Sequence, residues 1–274
     1  MPELPEVETV RRTLTELVVG KTLKEIDIFW SKIIKLPDDS HEFKMMLVGQ
    51  TIQSIDRRGK FLLFQLTDYT LVSHLRMEGR YGLHQKGEER TKHTHVIFRF
   101  EDDTELWYQD VRKFGTMHLF LKGAEEHSEP LLGLGVEPFS ELFQIETLKI
   151  AFSRTARKVK VVLLDQKAVV GLGNIYVDEA LFRAGIHPER LANTIDDQEL
   201  MVLHLKIKET LQEAVDLGGS SVKSYVNGQG DMGMFQQHLD VYGRKALPCN
   251  HCGTEIEKIV VGGRGTHFCP SCQK

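Results

Sequence analysis

No stretch of this 274-residue sequence approaches the roughly 18 consecutive apolar residues that a membrane-spanning helix needs. The first residues, Met-Pro-Glu-Leu-Pro-Glu, are acidic and lack the apolar segment of a secretory signal. Internal repeats and low-complexity tracts are also missing. We therefore expect a cytoplasmic protein with no membrane partner, built as one large domain or two medium ones.

A strong excess of basic residues is missing too. The 35 Lys and Arg residues face 39 Asp and Glu, a net charge of −4, which argues mildly against a nucleic-acid-binding protein. Two local runs weaken that argument, because residues 57–60 hold three positive charges and residues 154–160 hold four. Phosphate affinity follows the local patch more than the total charge. Either run alone is more often an ordinary solvated face.

Cysteine is absent until the last 26 residues, where four appear in two Cys-x-x-Cys pairs separated by 16 residues: Cys249, Cys252, Cys269 and Cys272. Four thiolates at this spacing can close a tetrahedral zinc site. Two disulfides are the alternative, and a cytoplasmic location disfavours them. The pattern predicts one structural Zn²⁺ with no open ligand position, and His251 and His267 as bystanders.

The first half of the sequence predicts a β-rich domain that begins with a helix. Apolar residues recur at helical spacing over 6–18, and Gly20 is a natural stop. Six strand-like stretches follow, with a hairpin turn at Asp102–Asp103: residues 23–29, 51–55, 61–66, 70–74, 95–100 and 105–108.

The second half predicts helices, and the whole chain an α+β fold. Helical spacing occurs at 142–152, 158–164, 176–184 and 197–217, before a long glycine-bearing loop at 218–233. Near the end, residues 256–261 and 267–269 predict a hairpin with Arg264 at its tip. We expect a β-sandwich-like domain over 1–132, a hinge over 133–140, a helical domain over 141–237 and a zinc finger over 238–274.

Pro2 is a candidate nucleophile, because a small residue after the initiator allows Met1 to be removed. The product is a secondary amine, and an α-amine has a pKa of about 7.7–8.0. The positive end of the following helix favours its neutral form, which can attack an electrophilic sugar carbon and form an iminium. Glu3 and Glu6 lie beside it in the sequence and could transfer protons. Alone, such a terminus carries no information.

Six short and different sequence blocks are distributed along the chain. They are Pro-Glu-Leu-Pro-Glu-Val-Glu-Thr at 2–9, Arg-Arg-Gly-Lys at 57–60, His-Leu-Arg-Met-Glu-Gly at 74–79, Asp-Val-Arg-Lys-Phe-Gly at 110–115, Gly-Leu-Gly-Asn-Ile-Tyr at 171–176 and Val-Tyr-Gly-Arg at 241–244. With the four-cysteine tail, this series resembles the formamidopyrimidine-DNA glycosylase family from end to end. The Gly171-x-Gly173 pair is not a dinucleotide-binding motif, since Tyr occupies position 176.

The resemblance implies catalytic roles residue by residue. Pro2 would be the Schiff-base nucleophile, and Glu3 its acid–base partner at the sugar. Lys60 matches the lysine credited with β-elimination, and Arg264 the finger arginine linked to δ-elimination. From the sequence alone, Lys60 could instead be a solvated residue at a strand end and Arg264 an exposed turn residue.

The resemblance also implies a set of DNA contacts. The residues implied to contact DNA are His74, His93, Arg112, Lys160, Asn174 and Tyr242, and those implied to fill the duplex when the damaged base leaves are Met77, Arg112 and Phe114. An apolar wedge and a planar guanidinium can replace the lost stacking. The alternative is that Met77 and Phe114 are core residues.

The chain departs from the family pattern in few places. Some relatives have Pro where Val111 stands, and a more basic run where Thr155-Ala156 stands, so the phosphate-binding lysine of that segment is open. The loop at 218–233 matches the region that covers the everted base, and no single base-reading residue is assigned there.

The resemblance implies a monomeric, nucleoid-associated enzyme that excises 8-oxoguanine or formamidopyrimidine from double-stranded DNA and nicks the strand by β,δ-elimination. One alternative is the endonuclease VIII-like branch, which acts on oxidised pyrimidines. The other is a non-enzymatic zinc-ribbon DNA-binding protein, which would have lost Pro2, Glu3 or Lys60.

Overall fold

A computed structural model describes residues 1–220 and 233–274. Contacts between Cα atoms divide these residues into two compact units. The N-terminal unit contains Met1–Pro2 and Glu6–Leu132, and the C-terminal unit contains Glu3–Pro5, Gly133–Ser220 and Met234–Lys274. Within the part of the chain that is described, no helix is long and apolar enough to cross a membrane.

Helix α1, Leu4–Val18, confirms the predicted N-terminal helix and begins two residues earlier than expected. Its apolar stripe, Val7, Val10, Leu14 and Val18, is buried in the core of the N-terminal unit. The Leu4 N–H, in the first turn of the helix, donates to the Gly171 carbonyl at 3.0 Å.

Two sheets form the rest of the N-terminal unit. The first sheet is antiparallel. Its strands, in spatial order, are β1 (Leu23–Ile28), β7 (Thr94–Phe100), β8 (Thr104–Gln109) and β6 (Arg80–Gln85). The strands of the second sheet, in spatial order, are β2 (Ile34–Leu36), β9 (Thr116–Leu121), β5 (Tyr69–His74), β4 (Phe61–Gln65) and β3 (Ser54–Arg58). In this sheet the β2–β9 pair is parallel and the other pairs are antiparallel. Both sheets share one apolar core, which confirms the predicted sandwich.

The sequence reading missed several elements of this unit. Strands β2, β6 and β9 and the short helix α2, Ser40–Leu47, were not expected. The strand predicted at 51–55 runs instead from Ser54 to Arg58, because β3 is an edge strand that tolerates the charges of Arg57 and Arg58. The turn at Asp102–Asp103 is confirmed between β7 and β8.

Four helices form most of the C-terminal unit, and all four were predicted. They are α3, Ile145–Ser153; α4, Val159–Leu164; α5, Asn174–Ala184; and α6, Asp197–Asp216. Helix α3 starts later than expected because Gln144 and Thr147 form a capping box, and α6 starts with an Asp196–Glu199 capping box. Helix α5 begins two residues earlier than expected.

The finger carries the predicted hairpin, formed by β10, Glu257–Val261, and β11, Arg264–Phe268. Gly262 and Gly263 form the two-residue turn with φ of 56° and 75°, as a type I′ turn requires. Arg264 is therefore the first residue of β11, paired with Val261, rather than the tip of the turn. Most of the loop predicted over 218–233 lies outside the described residues.

Candidate functional site

The Glu3 carboxylate lies at the N-terminus of α5. It accepts hydrogen bonds from the backbone N–H groups of Gly173 at 2.8 Å, Ile175 at 3.0 Å and Tyr176 at 3.3 Å. These donors have no partner inside the helix, and the helix dipole favours a negative charge there. Glu3 is only 3% exposed. Its carboxylate is thus fixed in position by backbone groups.

The Gly171-x-Gly173 pair is shaped by this arrangement. A Cβ on Gly173 would lie 2.3 Å from Glu3 Cδ, and a Cβ on Gly171 would lie 2.4 Å from Leu4 Cδ1. Gly171 also has φ of +91°, which disfavours other residues. Both glycines are therefore needed so that the backbone can wrap Glu3 and Leu4.

The other N-terminal candidates are buried as well. Pro2 is buried while Met1 is exposed, and Glu6 is buried on the first turn of α1. The Pro2 nitrogen is an amide while Met1 is attached, so it has no available lone pair. The amine chemistry assigned to Pro2 needs the processed chain.

Lys60 lies in the two-residue turn between β3 and β4, after Gly59. It is 7% exposed, so the alternative of a solvated strand-end lysine is wrong. Phe61, the next residue, pairs with His74 on β5, and the charge of Lys60 acts on that imidazole.

His74 is a buried, neutral imidazole. Burial, together with the positive charges of Arg76 and Lys60, lowers its pKa to about 3. Its Nδ1 accepts the Arg76 N–H at 2.8 Å, which places the ring proton on Nε2. His74 can therefore donate one hydrogen bond without carrying charge.

The three predicted duplex-filling residues lie on the surface of the N-terminal unit. Met77 is 38% exposed and Phe114 is 52% exposed, so neither is a core residue. The Arg112 guanidinium carbon lies 4.7 Å from the centre of the Phe114 ring. Large exposed apolar side chains beside a stacked guanidinium are suited to entering a base stack.

Lys160 does not fit its predicted role. Its side chain is 0% exposed, and Nζ donates to Asp178 Oδ1 at 2.6 Å. Burial lowers its pKa, an effect that the facing Asp178 charge opposes. A phosphate cannot reach this amine in the observed geometry. The structure therefore corrects the predicted phosphate contact: Lys160 instead makes a buried structural contact with Asp178, next to the finger.

Asn174 and Lys160 converge on the backbone next to Arg264. Asn174 Nδ2 donates to the Gly265 carbonyl at 2.8 Å, and Lys160 Nζ lies 3.4 Å from the same oxygen. Asp178 also accepts the His267 N–H at 2.9 Å. These contacts fix β11, while the Arg264 side chain remains exposed.

Part of each basic run forms ion pairs within its own unit. Lys158 pairs with Glu189, and Arg157 pairs with Asp165 at 2.6 Å. In the other run, Arg57 pairs with Glu8 at 3.2 Å. The four-residue cluster expected at 154–160 is therefore not a free cationic patch.

Tyr242 and His93 are half-buried. The Glu179 carboxylate holds Tyr242 by accepting the N–H groups of Asp240, Val241 and Tyr242 at 2.8–3.0 Å. Burial raises the pKa of Glu179 to about 7. The sequence reading missed Asp178 and Glu179, although two adjacent acids on an otherwise apolar helix were a usable signal.

The four cysteines converge as predicted. Their Sγ atoms all lie within 4.8 Å of one another, with Cys249–Cys272 at 3.9 Å and Cys252–Cys269 at 3.5 Å. Tetrahedral zinc with bonds of about 2.3 Å would place its sulfurs about 3.8 Å apart, whereas a disulfide needs about 2.05 Å. The donor set fits zinc and excludes the disulfide alternative.

Three family descriptions match consecutive parts of the chain. The formamidopyrimidine-DNA glycosylase N-terminal domain matches residues 1–117, and the H2TH domain of the same family matches residues 134–226. A zinc finger found in FPG and IleRS matches residues 246–274. With the cysteine geometry, this identifies one structural zinc ion bound by the finger.

Full-length relatives and solved structures agree. A formamidopyrimidine-DNA glycosylase of Halalkalibacterium halodurans is 68% identical, covering 100% of both chains, and one of Bacillus subtilis is 63% identical, covering 100% of this chain and 99% of the relative. Lactococcus lactis Fpg in complex with abasic-site DNA is 44% identical with a TM-score of 0.94, covering 99% of both chains. Its complex with Fapy-dG DNA is 43% identical with a TM-score of 0.93, covering 99% of this chain and 100% of that one.

Proposed function

The chain belongs to the formamidopyrimidine-DNA glycosylase family, and on that premise we propose that it excises oxidised purines from double-stranded DNA and then nicks the strand. The substrates are 8-oxoguanine and formamidopyrimidine. The observation that carries the proposal is the Glu3 carboxylate, held by three backbone N–H groups of the α5 N-terminus one residue after Pro2.

The first step is attack by the Pro2 nitrogen on C1′ of the damaged nucleotide, after Met1 has been removed. The C–N bond forms, and the glycosidic bond breaks with its electron pair leaving on the base. The Pro2 nitrogen loses its proton, the ring oxygen O4′ gains one as the sugar ring opens, and the departing base is protonated by water, which leaves an iminium between Pro2 and the sugar. Glu3 is the group that transfers the proton at the sugar, because its oxygens cannot swing away from their three N–H donors. Glu6 assists as a second buried carboxyl.

The iminium makes the neighbouring sugar protons acidic, so strand cleavage follows. Loss of the 3′ phosphate is β-elimination, and loss of the 5′ phosphate is δ-elimination. We assign the first to Lys60, whose buried amine lies in the β3–β4 turn, and the second to Arg264 at the start of β11. Zinc holds the finger that carries Arg264 and takes no part in bond breaking.

The remaining assignments concern DNA contact and organisation. His74, His93, Asn174 and Tyr242 would contact the DNA backbone, and Met77, Arg112 and Phe114 would fill the duplex. Domain borders at 1–132, 141–237 and 238–274 with a hinge at 133–140, a monomeric state and a cytoplasmic, nucleoid-associated location complete the proposal.

Two duplexes test this function against the pyrimidine-specific alternative. One contains 8-oxoguanine opposite cytosine and the other thymine glycol, and strand nicking is scored on both. We expect nicking of the first with both β- and δ-elimination products. Preference for thymine glycol would instead support the endonuclease VIII-like branch, and binding without nicking would support a non-enzymatic DNA-binding protein.

A further inference from the structure

The exposed loop that carries Arg112 and Phe114 is wrapped around one buried carboxylate. Asp110 Oδ1 accepts the Arg112 N–H at 2.9 Å, and Oδ2 accepts the N–H groups of Phe114 and Gly115, each at 2.9 Å. Asp110 is 1% exposed, although residues 111–114 are exposed. A carboxylate that binds three amides of one loop is a strong local restraint.

The loop backbone adopts an unusual conformation around this carboxylate. Lys113 has φ of +58°, in the left-handed region that non-glycine residues rarely occupy. That turn lets the amides on both sides of it point inward. The Lys113 amine lies 4.1 Å from the Trp30 ring, which anchors the loop from outside. Such a conformation persists only where its surroundings determine it.

Tyr108 connects this loop to the turn that carries Met77. Its buried hydroxyl donates to Asp110 Oδ2 at 3.4 Å. A Cβ on Gly115 would lie 1.7 Å from that hydroxyl oxygen, and a Cβ on Gly79 would lie 2.3 Å from it. The hydroxyl therefore lies against the backbones of both segments, and both glycines are needed to admit it.

The hydroxyl stays protonated and can donate to Asp110. Burial and the Asp110 charge raise the pKa of Tyr108 well above its ordinary value, so the proton stays on the oxygen. On the other side, the turn with Met77 is closed by the Gly79 N–H, which donates to the Leu75 carbonyl at 2.9 Å. One carboxylate thus binds the loop with Arg112 and Phe114, and one tyrosine hydroxyl packs against the backbones of that loop and of the Met77 turn.

We propose that Tyr108 and Asp110 are positioning residues that hold Met77, Arg112 and Phe114 in one preformed arrangement. The entropy of ordering the two segments is then lost during folding rather than at the moment of base eversion, which itself costs a few kcal/mol. This assignment rests on the proposed function. The assignment predicts different effects on base excision and on cleavage at a preformed abasic site, because the abasic site has no base to evict.

The first test uses Gly115→Ala and Asp110→Asn, assayed in single-turnover reactions on 8-oxoguanine DNA and on abasic-site DNA. We expect excision of 8-oxoguanine to fall about tenfold or more, as for loss of a charge-assisted buried hydrogen bond, and abasic-site cleavage to change less than about threefold. Fluorescence of 2-aminopurine placed opposite the lesion should show slower filling of the duplex.

Tyr108→Phe tests the hydroxyl directly. It removes the oxygen that lies against the backbones of both segments and donates to Asp110, so excision of 8-oxoguanine should fall while abasic-site cleavage changes little. Tyr81→Phe is the matched control, because Tyr81 is an equally buried neighbour whose hydroxyl bonds Ser73 at 2.7 Å instead. That variant should keep both activities.

A double-mutant cycle distinguishes positioning from general stability. In an Arg112→Ala, Phe114→Ala background, Asp110→Asn should lower excision by less than about twofold further. The assignment would be overturned if Asp110→Asn lowered excision by the same factor in this background as in the wild type, or if it lowered activity equally on 8-oxoguanine and abasic DNA. Either result would leave the proposed function intact. Wild-type protein that cuts neither DNA would overturn the proposed function, and this assignment with it.

Discussion

Gly173 donates its backbone N–H to the carboxylate of Glu3 at 2.8 Å, across 170 positions of sequence. This contact joins the candidate proton-transfer group to the N-terminus of α5, and it exists only because Gly173 has no side chain. The position of Glu3 therefore depends on a residue that takes part in no chemical step.

The first prediction concerns Gly173→Ala. The added methyl would lie 2.3 Å from Glu3 Cδ, so the carboxylate must move. A displacement of about 1 Å at a reacting group can cost about a hundredfold in rate, and we expect excision of 8-oxoguanine to fall by about that factor while DNA affinity is retained. Single-turnover rates and binding isotherms measure both.

Gly185→Ala is the matched control for that prediction. Gly185 caps the other end of α5 with φ of +71°, and the nearest atom to its Cβ position is 3.5 Å away. This variant should lose about 1 kcal/mol of stability with little change in the excision rate. Similar rate losses in the two variants would show that α5 stability, rather than Glu3 position, limits activity.

The second prediction concerns the corrected role of Lys160. Lys160→Met should destabilise the C-terminal unit by about 3–5 kcal/mol, because it leaves Asp178 buried without its cation. The pair Lys160→Met with Asp178→Asn should recover most of that loss, as followed by urea unfolding. For the paired variant, the dependence of DNA affinity on salt should match that of wild type. If the slope of the logarithm of the DNA-binding constant against the logarithm of salt concentration were smaller in magnitude by about 0.9, Lys160 would neutralise a phosphate after all.

The third prediction concerns zinc. Replacing any of Cys249, Cys252, Cys269 or Cys272 by Ser should lower zinc from about one equivalent to less than about half, and should unfold the finger. DNA binding should fall with it, because Arg264 is on the same hairpin. His251→Ala is the control, since His251 is exposed and should leave zinc content unchanged. Active protein with little zinc by elemental analysis would contradict the assignment.

The fourth prediction is a pH dependence caused by His74. Its pKa is about 3 in the folded protein and 6.5 in a model compound, so between these values the unfolded chain binds a proton that the folded chain does not. The free energy of unfolding must therefore fall as the pH falls below about 6.5, by up to about 1.4 kcal/mol per pH unit.

His74→Asn isolates this effect. Its side-chain oxygen can still accept the Arg76 N–H but does not titrate. The fluorescence of Trp30 and Trp107, the two tryptophans of the chain, reports on the N-terminal unit that contains His74. Below pH 6.5 the variant should show a shallower loss of stability than wild type. Parallel pH profiles would mean that His74 is protonated in the folded state.

Local patterns made part of this molecule predictable. The spacing of Val7, Val10 and Leu14 gave α1, and the Cys-x-x-Cys pairs gave the metal site, because each pattern is contained within one element or one knuckle. Contacts between distant segments were not predictable in the same way. Lys160 looked like a surface cation because its partner Asp178 lies on another helix.

Two of the three strands that the sequence did not predict, β2 and β6, are edge strands, whereas β9 is interior. Strand β6 has only one fully buried residue, Tyr81, and β3 ends in two arginines, so neither shows a clear apolar alternation. Asp110 belongs to the block at 110–115, but the sequence does not reveal its role, because its buried carboxylate acts by accepting the backbone N–H groups of its neighbours.

The last prediction concerns Met1. With Met1 attached, the Pro2 nitrogen is an amide whose lone pair is delocalised into the carbonyl. Processed protein should become covalently trapped on 8-oxoguanine or abasic DNA when borohydride reduces the iminium, whereas protein that retains Met1 or carries an N-terminal tag should bind DNA without being trapped. Glu3→Gln should bind DNA but lose base excision, because the amine survives and its proton-transfer partner does not. Mass spectrometry should place the adduct on Pro2, and an adduct on Lys60, or equal trapping of Met1-bearing protein, would refute the mechanism.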